Sequence, residues 1–78
     1  MMLFLIEYDH DRGEMITFRT FDDSERGIAE RERLELELEL NRRGVEREVV
    51  ILEAATEEAV RRTHRRYFEN LEELLKAS

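Results

Sequence analysis

The apolar positions of this 78-residue chain fall into four blocks separated by charged stretches. Leu3 to Tyr8 reads Leu-Phe-Leu-Ile-Glu-Tyr, rich in the aromatic and branched residues that strands favour. Asp9-His10-Asp11-Arg12-Gly13 follows as a polar turn, with Gly13 free to take a positive φ. Met15 to Phe21 is a second strand with partial alternation, so residues 2–21 are expected to form a β-hairpin. Strand periodicity places Phe4, Ile6 and Tyr8 on one side and Leu3, Leu5 and Glu7 on the other. In the second strand it sets Ile16, Phe18 and Thr20 against Met15, Thr17, Arg19 and Phe21.

Asp22-Asp23-Ser24-Glu25 is a helix start: short polar caps, then acid in the first turn, where the helix dipole favours it. Asp22 and Glu25 have the spacing of a capping box. Strong helix formers then run to Arg43, Glu39 and Arg43 stand at i,i+4, and Gly44 is placed to end the segment. Leu34 to Leu40 complicates this reading, because leucine and glutamate alternate there with period two. As a strand, it would pair with Val45 to Leu52 across an Asn41–Gly44 turn. As a helix, Ile28, Ala29, Leu36 and Leu40 share one face, with Leu34 and Leu38 roughly opposite. Leucine and glutamate are poor strand and good helix residues, so a helix over 22–43 is preferred.

Residues 45–55 hold the run Val49-Val50-Ile51-Leu52, typical of a strand covered on both faces. Thr56-Glu57-Glu58 then caps a second helix, expected over 56–76. Its apolar stripe is Val60, His64, Tyr67, Phe68, Leu71, Leu74 and Leu75. The order β-β-α-β-α defines one small α+β domain. We read it as two-layered, a three-stranded sheet with both helices on one face.

That arrangement makes a prediction about association. If the helices cover Phe4, Ile6 and Phe18, then Leu3, Leu5, Val49 and Ile51 stay uncovered, as do Leu34 and Leu38. A domain of this size rarely gains more than about 3–5 kcal/mol from its core, and no cysteine offers a disulfide. Leu3, Leu5, Leu34, Leu38, Val49 and Ile51 are therefore the expected interaction surface, and a two-fold homodimer the expected assembly.

Charge adds a second reading. The chain is 42% charged with a formal net charge of -7, and twelve of its thirteen bases are arginine. Acids dominate residues 22 to 58, whereas residues 61 to 78 are net positive. Arg61, Arg62, Arg65 and Arg66 beside Tyr67 form the basic cluster, an alternative contact for a polyanion such as RNA or DNA. The competing reading, which the negative net charge favours, is a salt-bridged surface.

Candidate chemistry is sparse. His64 and Tyr67 form the one candidate polar pair, His64 having a pKa suited to proton transfer, although a boundary histidine beside a core tyrosine is the simpler account. Asp9-His10-Asp11 with Gly13 and Glu14 fails the EF-hand calcium pattern. Three glycines cannot build a Walker loop or a dinucleotide fingerprint, and no nucleophile elbow or zinc-protease motif occurs. The expectation is a non-enzymatic, cofactor-free and metal-free module. No apolar run reaches the roughly twenty residues needed to cross a bilayer, and none has the flanks of a signal peptide, so a cytoplasmic location is expected.

Overall fold

The computed structural model describes residues 1–69. Strands β1 (Met2–Asp9) and β2 (Glu14–Asp22) form the hairpin. Gly13 takes φ 61° in its turn, and the Asp9 carboxylate accepts the backbone N–H groups of Asp11 and Arg12 at 3.0 and 3.2 Å. A 3₁₀ turn over Asp23–Glu25 leads into helix α1 (Arg26–Arg43). The Asp22 N–H donates to Glu25 Oε1 at 2.9 Å across that start. Gly44 ends α1 in the left-handed region, φ 69°. Glu39 pairs with Arg42, one residue short of the expected Arg43. Strand β3 (Glu48–Ala54) and helix α2 (Glu57–Thr63) complete the order β-β-α-β-α of a small α+β domain.

The sheet order is β2-β1-β3, and both neighbours run antiparallel to β1. β2 and β3 therefore run in the same direction with β1 between them, and α1 is the crossover that joins them. The register sets Leu5 opposite Arg19 and Ile51, and Ile6 opposite Phe18 and Val50. It shifts once, between Glu7 and Tyr8, where Ile16 is left without a partner. This bulge reverses the parity of the strand end: Met15 joins Tyr8 and Phe18 in the core, and Ile16 is turned outward. The faces expected for Met15 and Ile16 are corrected on that account.

The helices lie on opposite faces of the sheet. Ala29 of α1 packs on Leu3, Leu5 and Phe21, with Val49 and Ile51 alongside. Val60 of α2 packs on Phe4, Ala54 and Leu52. Tyr67, in a 3₁₀ turn over Arg65–Tyr67, continues that layer over Ile6 and Tyr8. β1 is thus the central strand covered on both sides, and its side chains from Leu3 to Tyr8 are all buried. The arrangement with both helices on one face is corrected, and the spare surface it implied at Leu3 and Leu5 goes with it: they are 0% and 2% exposed beneath α1.

α2 is shorter than expected. Its cap is the expected one, with Thr56 Oγ1 accepting the Ala59 N–H at 3.0 Å. The last α-type bond runs from His64 N–H to Val60 O at 2.9 Å. His64 then leaves the helical region at φ −125°, ψ 49°, and the next bonds are of the tighter 3₁₀ kind, Tyr67 to His64 and Phe68 to Arg65. A continuous helix from 56 is corrected at this point. Leu71, Leu74 and Leu75 of its expected stripe lie outside the described residues. Among the described residues no helix is long and apolar enough to cross a membrane.

Candidate functional site

The polar chemistry gathers at the hairpin end of the sheet, in two clusters on opposite faces. Because neighbouring residues of a strand point to opposite sides, Glu7 enters the layer beneath α1, and Tyr8 enters the layer beneath α2. Arg47, just before β3, and Glu48, its first residue, repeat the division.

On the α1 side, the nearly buried Glu7 carboxylate accepts Thr17 Oγ1 at 2.6 Å and Arg47 Nη1 at 2.5 Å. Arg47 Nε lies 3.9 Å from Asp9. The Glu7 carboxylate holds the Arg47 guanidinium above its ordinary pKa. Burial of Glu7 is thereby compensated by a cation and a hydroxyl, as a buried carboxylate requires.

On the α2 side, Glu48 is the hub. It accepts the Tyr67 hydroxyl, Arg66 Nη2 at 3.1 Å and His10 Nε2 at 2.7 Å. The Arg66 guanidinium also lies 4.1 Å from the centroid of the Tyr67 ring, and Tyr8 meets Tyr67 edge-on at 5.4 Å. The Tyr67 hydroxyl bond, with Arg66 and His10 behind it, holds the Glu48 carboxyl below its usual range against the opposing effect of burial. Burial and then Glu48 push the Tyr67 hydroxyl up to about 12.

A cleft of about 280 Å³ opens between the two clusters, lined by His10, Asp11, Glu46, Arg47 and Glu48. His10 pairs with Glu48 at its rim, while Arg47 is bound to Glu7 and Glu48 to Tyr67, so the two clusters fasten the hairpin turn and the 3₁₀ turn to the start of β3. Of the candidate polar pair, Tyr67 belongs to this network. His64 stands at its margin, with its ring 6.3 Å from that of Tyr67. The sequence does not single out Glu48, Glu7 or Arg47, and it offers His10 only within the turn Asp9-His10-Asp11. The visible signal for Glu7 was a carboxylate interrupting an apolar strand.

The basic cluster is paired with acids throughout. Arg61 lies 3.7 Å from Glu57, Arg62 3.0 Å from Glu58, Arg65 3.1 Å from Glu69, and Arg66 3.1 Å from Glu48. Arg61 also lies over the Phe68 ring at 4.6 Å.

The expected interaction surface divides in two. Leu3 and Leu5 are interior, with Val49 and Ile51 half-buried beside them. Leu34 and Leu38 stay 55% and 59% exposed on the outer side of α1, and Ile28 is 50% exposed on its flank rather than in the buried row with Ala29 and Leu40. Among the described residues no three histidine, aspartate or glutamate side chains form a group able to hold a metal ion. No protein-family model, curated protein or solved structure matches the chain.

Proposed function

We propose that the chain is a protein-interaction module that acts as a homodimer. The observation that carries this reading is the apolar surface left over after folding. Leu34 and Leu38 stand one turn apart on the outer face of α1, both more than half exposed. β3, although it has a helix layer on either side, keeps Val49, Val50, Ile51 and Leu52 only half-buried. Apolar residues gathered on one helix ridge and one strand point to a contact rather than to scattered surface leucines. The polyanion reading is disfavoured, because Arg61, Arg62, Arg65 and Arg66 each have a carboxylate within 4 Å. Sedimentation velocity or light scattering at micromolar concentration tests the proposal. A mass of twice 9.4 kDa is expected, and a monomer throughout that range ends it.

A further inference from the structure

We infer that the seam between the two copies is the outer edge of β3, joined antiparallel to itself so that the two sheets become one. The inference rests on the homodimer reading and says which surface carries it.

A three-stranded sheet has two edges, and they are built differently. β2 has the bulge at Ile16 and carries Thr17, Arg19 and Thr20 along its length. Bulges and inward charge are devices that discourage a further strand from pairing. β3 reads Glu-Val-Val-Ile-Leu-Glu-Ala, with no bulge, proline or lysine. Among the described residues it pairs only with β1. Its outward backbone groups and its half-buried apolar side chains are what an added strand would cover.

The strand also fits a second copy of itself. Residues directly opposite in a ladder share a face, so a two-fold axis normal to the sheet must pair residues of equal parity. Centring the axis on Val50 sets Val50 opposite Val50 and Val49 opposite Ile51. The same register sets Arg47, one residue before β3, opposite Glu53 of the other copy, so that opposite charges adjoin at both ends beside the Arg47–Glu7 and Arg26–Glu53 pairs of each monomer. Moving the axis to Ile51 puts Val49 opposite Glu53 and loses that match of charge.

α1 supports the same edge. Arg26 of α1 reaches Glu53 at 2.5 Å. Glu37, Leu40 and Asn41 line a groove of about 410 Å³ with Arg47 and Val49. This flank of the helix therefore overlooks β3, whereas Glu32, bonded to Arg19 at 2.6 Å, marks the flank over β2. Leu34 is three residues before Glu37 and Leu38 three before Asn41, so both adjoin the β3 flank. Joining the edges brings two α1 helices side by side on one face, with these leucines beside the seam.

The test uses the full chain, whose lack of cysteine makes single-cysteine variants clean. Val50→Cys places two thiols about 5 Å apart across the two-fold. It is expected to form a covalent dimer under mild oxidation about tenfold faster than Ser24→Cys, placed on an exposed turn, because the partner raises the effective thiol concentration. In the unmodified chain, β3 amide exchange is expected to slow as concentration rises. A dimer in which Val50→Cys reacts no faster than Ser24→Cys, and in which β3 exchange is independent of concentration, overturns the seam but leaves the homodimer standing. A monomer overturns both.

Discussion

Glu48 and Tyr67 show what one hydrogen bond does to two titrations. The Tyr67 hydroxyl, held at about 12 by burial and by Glu48, is protonated in the folded and unfolded chain below about pH 10. Between about 10 and 12 only the unfolded chain releases this proton, so stability falls as pH rises through that window. Glu48 works at the other end. Its folded pKa is depressed, first by the Tyr67 hydroxyl. The stability it contributes is full above the ordinary glutamate value and is lost as pH falls through the depressed one. Tyr67→Phe removes the shared bond, with an expected cost of about 1–2 kcal/mol at neutral pH and a shallower loss of stability at both extremes. Urea titrations at acidic, neutral and alkaline pH check this; an unchanged alkaline slope would place the effect in another group. Glu7 and Arg47 allow a sharper comparison. Arg47→Ala leaves a buried carboxylate with only Thr17 and is expected to cost about 3 kcal/mol. Replacing both Glu7 and Arg47 by leucine should recover most of that, since an apolar pair needs no compensation. Denaturant midpoints of the single and double variants decide it.

α1 is the element where sequence and structure are most instructive together. The alternation of Leu34 to Leu40 is a strand pattern, yet propensity prevails and the segment is helical. A period-two pattern wound at about 100° per residue distributes its leucines around the helix. Leu36 and Leu40 turn inward with Ala29, leaving Leu34 and Leu38 outside. Replacing Leu34 and Leu38 together by glutamate should cost the folded monomer no more than about 0.5 kcal/mol, because both sites are exposed and glutamate is a good helix former. The same double variant is expected to weaken self-association, with sedimentation reporting the second effect and circular dichroism the first. Element order, the caps at Gly44 and Thr56 and the turn at Gly13 were legible because each depends on local backbone chemistry. The side of the sheet taken by each helix was not, since no local signal in Ala55-Thr56 says which face the chain turns to. A clue lay in β1 itself, where Leu3 to Ile6 is apolar on both sides, the pattern of a strand covered twice. The Glu48 hub was hidden for a related reason. His10, Glu48 and Tyr67 are far apart in sequence, and only the antiparallel register that sets Tyr8 opposite Glu48 brings them together.

At the scale of the whole molecule, the limiting quantity is the core. Among the described residues, β1 supplies most of the fully buried large side chains, Leu3, Phe4, Leu5 and Ile6, with Val60 the other. The cover on either face is thin: Ala29 and Leu40 are the buried residues of α1, and Val60 is that of α2. A domain of this kind gains roughly 3–5 kcal/mol from packing, so closing the open edge of β3 would be a large fraction of its stability. An association that requires the folded monomer raises the melting point with concentration, because mass action favours the state that binds. For a chain of this length the unfolding entropy is about 0.16 kcal/mol/K per subunit. A tenfold increase in concentration, about 1.4 kcal/mol per dimer, should therefore raise the midpoint by about 4 °C when unfolding and dissociation are coupled. Scanning calorimetry at two concentrations a decade apart measures this directly. The same comparison on Glu53→Arg separates association from intrinsic stability. That substitution sets like charges opposite at both ends of the seam, so it is expected to flatten the concentration dependence, whereas losing the exposed Arg26 pair lowers the midpoint equally at both concentrations. A midpoint that climbs equally in both proteins would mean that the copies meet elsewhere than along β3.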